Sequence, residues 1–294
     1  MPNLRDIKGR MGSVESTRQI TRTMEMVATA KIKRAQERIE SARPYALAMM
    51  EVLGNVARYA RGAEHPLLEE HEHIHRVIVV AVTSDRGLAG AFNANILRLT
   101  EGLMTEYGER DARVDVVAVG KKAAGYFRYR GIEPLAVYRD ISDKPTISDA
   151  RSIARDVMEP FSAREADLVF VVFNRFKNVA EQKPEVHQLL PIRQSVIEEA
   201  AEDQRVSAEY AFEPDAGSVL ARLLPTYVET LVYRALMESA ASEHGARRTA
   251  MKAATDNAGE MIVTLTRSYN RARQASITNE IAEIVGGAAA LEDS

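Results

Sequence analysis

Stepping alternately by three and four residues from Leu4 picks out Leu4, Ile7, Met11, Val14, Arg18, Thr21, Glu25, Ala28, Ile32, Ala35, Ile39, Ala42, Ala46, Met49, Leu53 and Val56. Thirteen of these sixteen positions are apolar. A seam of this spacing is the heptad signature of a coiled-coil helix, so it predicts one helix from Leu4 to about Val56. The three failures, Arg18, Thr21 and Glu25, are consecutive. Across them the apolar residues stand one place earlier, at Ile20, Met24 and Val27. Either the seam slips there or the helix serves a second surface. Pro44 should kink the helix or weaken one hydrogen bond. It does not end the pattern, which resumes in phase.

A second long helix is expected from about Ser218 to Leu291. From Ala235 to Gly259 its apolar side chains are mostly alanine, which favours the helix and lets a partner approach closely. Larger residues return at Met261, Leu265, Tyr269, Ile277, Ile281 and Ile284, and Gly286-Gly287 is expected to fray the end. At 1.5 Å per residue the two helices would span roughly 80 and 110 Å. Paired antiparallel, the C-terminal helix would overhang by about 30 Å. That overhang needs another protein to cover Ile277, Ile281 and Ile284.

The middle of the chain alternates strand and helix. Arg76–Ser84 is a continuous β-branched run, as expected of a strand buried on both faces. Helix, strand, helix and a weaker strand follow at about Asn93–Tyr107, Val114–Gly120, Lys121–Arg130 and Leu135–Tyr138. Then come a helix at Ser148–Phe161, a strand at Asp167–Asn174, and Glu185–Ile192 as its hairpin partner. This order implies a Rossmann-like, mostly parallel sheet with right-handed crossovers. The expected fold is therefore α/β: a long antiparallel coiled coil of the terminal helices (1–57 and 218–291) with an inserted α/β domain (75–195). Residues 58–74 and 196–217 are read as linkers.

Charge sharpens the picture. Residues 1–43 hold ten basic and five acidic side chains, although the whole chain has a formal net charge of -3. The first helix therefore favours an acidic partner. The chain has no cysteine, which excludes disulfides, thiol catalysis and cysteine metal sites. It has no tryptophan and few aromatics, which weighs against a base-stacking nucleic-acid binder. No uncharged apolar run approaches the roughly 20 residues of a membrane span, and the charged N-terminus is not read as a signal peptide.

Candidate chemistry is sparse. Gly120-Lys121-Lys122 opens a helix after a strand, and Ser84–Gly90 is a glycine-containing loop. Neither has the spacing of a phosphate-binding fingerprint, so both are read as turns. His71, His73 and His75 alternate among glutamates and could bind a metal if they lay on a strand, but in a polar linker they are read as a solvated cluster. The basic stripe beside Ile20, Met24 and Val27 fits a protein groove better than a phosphate backbone. No Ser/His/Asp constellation or HExxH pattern occurs. Two competing readings are an α/β nucleotide-binding enzyme with helical dimerisation arms and a coiled-coil nucleic-acid tether.

The ends also carry a resemblance. Ile20-TRTMEMVATAK-Ile32 with Arg43-Pro44-Tyr45, Ala250-MKAATDNA-Gly259, and Tyr269-NRARQASITNEIAEIVGGA-Ala289 resemble the terminal signatures of F-type ATP synthase gamma subunits. Thr83-SDRGLAG-Ala91 is similar to the family's segment after the first inserted strand. The resemblance implies a non-catalytic central-stalk rotor whose partners are three alpha and three beta subunits, the epsilon subunit and the c-ring. It implies no cofactor, no metal, no nucleic acid and no nucleotide bound by the chain itself. It further implies a peripheral location on the cytoplasmic face of a bacterial inner membrane, reached only through the complex. Carried over by motif, Met24 would face the acidic part of beta, and Arg273 and Gln274 would meet its catch loop. Arg247, Thr278 and Glu280 would belong to the helix set used for coupling. The cysteine-based switch of chloroplast-type members is not implied.

Overall fold

The computed structural model describes residues 4–60, 65–193, 213 and 215–292. In chain order the elements are α1 (Leu4–Tyr59), a 3-10 turn (Pro66–Leu68), β1 (Arg76–Val82), α2 (Phe92–Gly108), β2 (Arg113–Val119) and α3 (Lys121–Tyr129). Then follow β3 (Ala136–Tyr138), α4 (Ile147–Ser162), β4 (Leu168–Phe176), β5 (Gln182–Leu190) and α5 (Ala216–Glu292). Pro44 lies inside α1 without ending it. The α5 helix continues past Gly286-Gly287 rather than stopping there. Most of the expected linker at 196–217 falls outside the described residues. The chain divides into two compact units, Ala28–Arg247 and the combined ends Met1–Val27 with Arg248–Ser294.

The larger unit is built on one sheet of order β3-β2-β1-β4-β5. The first four strands are parallel, and β5 returns antiparallel against β4. The β-branched run in β1 works because both of its faces are covered. Ile78, Val80 and Val82 pack with Leu53 and Val56 of α1, Ile153 and Val157 of α4, and Leu224 and Val228 of α5. Val77, Val79 and Ala81 point the other way, onto Ile96 of α2 and Phe127 of α3. Helix α4 starts with a reciprocal cap: Asp149 N–H donates to the Thr146 hydroxyl while the Asp149 carboxylate accepts from the Thr146 N–H.

The stretch expected to be a bare linker contributes to this core. Leu67 is buried in it, and the Leu67 carbonyl accepts the Ile192 N–H at 2.8 Å. His71 is not a solvated residue either. Its ring stacks on Phe161 at 5.6 Å, and its Nδ1 lies 2.6 Å from Asp167. Asp167 also accepts the His75 and Arg76 N–H groups, so it staples the entry to β1.

In the smaller unit the two helix ends run antiparallel: Thr21 meets Thr255, while Glu15 and Arg18, earlier in α1, share a groove with Glu260 and Val263, later in α5. The seam does not slip. Thr21 is buried in phase, with its hydroxyl 2.7 Å from that of Thr255. Ile20 (60 % exposed) and Val27 (51 %) point outward instead and form the second surface. A polar seam position reads as a failure in a count of apolar residues, yet a paired hydroxyl satisfies it.

Candidate functional site

In doubly wound folds, ligands enter a crevice at the carboxyl ends of the parallel strands. Here that edge is filled by the protein itself. Ser242 of α5 donates to the Asn174 carbonyl at the end of β4, at 2.9 Å. Arg247 reaches the Gly87 carbonyl in the loop after β1, with Nη2 at 3.2 Å. Gly245 sits so close to Gln182 that an added Cβ would lie 2.8 Å from its amide nitrogen.

The first N–H groups of α3, which would cradle a phosphate in a nucleotide-binding fold, are likewise taken. Lys121 N–H donates to the Asp85 carboxylate, Lys122 N–H to the Ser84 carbonyl, and Ala123 N–H to the Thr83 hydroxyl. Burial works to raise the Asp85 carboxyl, but N–H groups of Asp140, Ser142 and Lys121 outweigh it and hold it below the usual carboxylate range. An anion arriving at α3 would have to displace this carboxylate.

Beside this edge lies a buried charged cluster. Glu243 and Arg247, one turn apart on α5, meet at 2.6 Å with little of either side chain exposed. Burial pushes the Glu243 carboxyl up, and Arg247 opposes the shift. His244 places Nδ1 3.2 Å from Arg247 Nη1 and Nε2 2.9 Å from Asp143. Lys31 of α1 grips Asp143 with Nζ at 2.7 and 2.8 Å from its two oxygens. Burial works to raise Asp143, but Lys31 and His244 hold its carboxyl low. Four segments thus meet in one network: α1, α5, the loop after β1 and the loop after β3. Of its ionisable side chains, only Arg247 is among the site residues expected from the sequence. The spacing Glu243…Arg247 is an i,i+4 ion-pair signal, but burial and the long-range partners carry no local trace.

The other expected site residues lie in the smaller unit. Met24 is half-buried, next to exposed Ile20 and Val27. Arg273, Gln274, Thr278 and Glu280 are all exposed. Within α5, Thr278 donates to the Gln274 carbonyl, and Glu280 accepts from Ser276. With Thr21 opposite Thr255, a partner helix that starts at Leu4 runs out near residue 272 of α5. Beyond that point Ile277 (47 % exposed), Ile281 (56 %) and Ile284 (72 %) recur at i, i+4 and i+7 on one face. Arg247 stands apart from these, inside the larger unit and bound to its own chain.

Among known proteins, the profile of the family described as ATP synthase matches residues 3–291. The chain is 50 % identical to the ATP synthase gamma chain of Desulforamulus reducens over 292 residues, covering 99 % of this chain and 100 % of that one. It is 42 % identical to the ATP synthase gamma chain of Xanthomonas campestris pv. campestris over 287 residues, covering 98 % and 99 %. Its fold is similar to a chain of the Euglena gracilis mitochondrial ATP synthase OSCP/F1/c-ring structure in rotational state 3. That match has a TM-score of 0.66 at 19 % identity and covers 98 % of this chain and 94 % of that one. A chain of the Tetrahymena thermophila mitochondrial ATP synthase central stalk/c-ring structure matches with a TM-score of 0.61 at 24 % identity, over 80 % and 99 %.

Proposed function

Because the chain belongs to the family of ATP synthase gamma chains, we propose that it works without a catalytic site of its own, through surfaces on its two terminal helices. As a gamma chain it is the central-stalk rotor subunit of an F-type ATP synthase. It couples ion-driven rotation of the c-ring to conformational cycling of the catalytic beta subunits, for ATP synthesis and for the reverse, hydrolysis-driven pumping. In this reading the shaft is 1–57 with 218–291, the foot is 75–195, and 58–74 and 196–217 join them. Three alpha and three beta subunits surround the shaft, while the foot meets epsilon and the c-ring. The chain then sits peripherally at the cytoplasmic face of a bacterial membrane, held there by the complex. No helix among the described residues is long and apolar enough to cross a membrane.

The observation that carries the shaft assignment is the uncovered stripe on α5 beyond the reach of α1. Burying three isoleucines is worth about 1.5–3 kcal/mol each, so the stripe calls for a partner. Arg273, Gln274, Thr278 and Glu280 surround it with donors and acceptors. Hydrogen bonds from a charged donor of about 1.5–3 kcal/mol would bias a rotary angle yet release as the shaft turns. Met24 would serve the same partner ring from α1, beside Ile20 and Val27. Arg247 would act indirectly, by fixing α5 to the sheet.

The test is hydrogen exchange of Arg273–Val285 in the free chain and in complex with alpha and beta subunits. Exchange should be fast in the free chain and much slower in the complex, because exposed helix opens locally at little cost. Equal protection in both states would remove this stretch from the interface.

A further inference from the structure

We propose that His244 is a positioning residue for coupling: bridging Arg247 and Asp143 as a neutral ring, it holds α5, the loop after β3 and, through Lys31, α1 in one fixed arrangement. The proposal rests on the rotor reading above and adds to it a residue outside the coupling set.

The hydrogen bonds assign the tautomer. A guanidinium has donors only, so the ring nitrogen facing Arg247 Nη1 at 3.2 Å, Nδ1, must present its lone pair. An ionised carboxylate has acceptors only, so Nε2, 2.9 Å from Asp143 Oδ1, must carry the hydrogen. The contact with Asp143 is thus a hydrogen bond from a neutral imidazole and not an ion pair. The charges agree with this. Lys31 from α1 and Arg247 from α5 balance Asp143 from the loop and Glu243 from α5, so a neutral ring leaves the cluster, buried at Glu243 and Arg247 and partly exposed at Lys31 and Asp143, at zero net charge. A proton on Nδ1 would remove the Arg247 bond and set two cations side by side, with only 3 % of the His244 residue exposed. Burial, aided by Arg247 and Lys31 against the pull of Asp143, accordingly depresses the ring to about 4.

The residue is therefore a bifunctional spacer and not a switch at neutral pH. Relative to an ordinary imidazole at 6.5, its value in the folded chain is lowered. The unfolded chain takes up the proton first, so this group's contribution to stability is complete above pH 6.5. It falls as the pH drops towards about 4 and is flat below that. Only a side chain with both an acceptor and a donor can replace it. Glutamine has both, and leucine has neither.

Two readouts test the proposal. In the free, full-length, 15N-labelled chain, the His244 ring should show the Nε2–H tautomer and should not titrate between pH 8 and pH 5. An Nδ1–H tautomer, or titration near 6.5, would overturn the geometry. In the complex reconstituted into vesicles, His244→Leu should keep ATP hydrolysis within about twofold. Protons pumped per ATP should fall by at least about tenfold, the fold-change that even one lost hydrogen bond to a charged group corresponds to. His244→Gln should restore pumping to within about threefold of the original. Equal pumping by the leucine variant would refute the role. Should complexes lacking the chain pump as well as complete ones, the rotor reading itself would fail, while the tautomer result would stand. Should the leucine variant not fold, as judged by circular dichroism, the tautomer and His244→Gln measurements still decide.

Discussion

Arg247→Leu is expected to destabilise the chain by about 3–5 kcal/mol, because it strands Glu243 in the interior without its cation. The ion pair itself is weak evidence of net stabilisation, since taking two charges out of water costs about as much as their attraction returns. Breaking it one side at a time is different. The Glu243 carboxylate would keep its desolvation penalty, the Gly87 carbonyl would lose its donors, and His244 would lose the partner that fixes its tautomer. At roughly 2–4 °C per kcal/mol for a unit of this size, the melting temperature should fall by about 6–20 °C. The double variant Arg247→Leu with Glu243→Gln should recover a large part of the loss, as the stranded charge is gone. Thermal unfolding followed by circular dichroism reads all three chains. A single variant within about 2 °C of the parent would mean that the pair is more solvated than its geometry indicates.

Gly120→Val is expected to be at least as damaging, at about 4 kcal/mol or more. Gly120 has a φ of +91°, where a side chain is strained from the outset. A Cβ built there would lie 2.4 Å from the Thr83 carbonyl oxygen and 2.8 Å from its carbon. These are backbone atoms of the segment leaving β1, and they cannot step aside as a side-chain tip can. The same segment supplies the acceptors for the first N–H groups of α3, so displacing it uncaps the helix as well. Gly125, in the same helix, has nothing within 4 Å of a built Cβ. Gly125→Ala should therefore be neutral or stabilising by up to about 1 kcal/mol. Comparable melting temperatures for the two variants would show that the tight approach at Gly120 is not what holds the strand ends together.

The sheet was legible because its strands are written in local sequence. The β1 run of valine and isoleucine states its own burial, and the heptads of α1 state theirs. The charged network was not legible for the converse reason. Lys31 lies 112 residues before Asp143, and Asp143 lies 101 before His244, and nothing near any of them announces that they will meet. The histidine-rich stretch misled because a polar run reads as solvated, whereas His71 finds Phe161 and Asp167 only after the strand order is set. At Thr21 the seam looked broken because its partner hydroxyl, on Thr255, belongs to the other end of the chain. Arg273, Gln274, Thr278 and Glu280, proposed above for coupling, are a different case. Their exposure follows from the reach of α1, but their roles came from the resemblance of the terminal motifs, since an exposed Arg273 or Glu280 does not name its partner.

As a rotor, this chain turns within the complex. With no native cysteine, a single one placed at Tyr129, which is 87 % exposed on the last residue of α3, can carry a probe. The complex would be held to a surface through its alpha and beta subunits and supplied with ATP while the probe is followed. A rotor gives unidirectional, stepwise rotation whose rate tracks hydrolysis. A probe that stays fixed while ATP is hydrolysed at the full rate would contradict it.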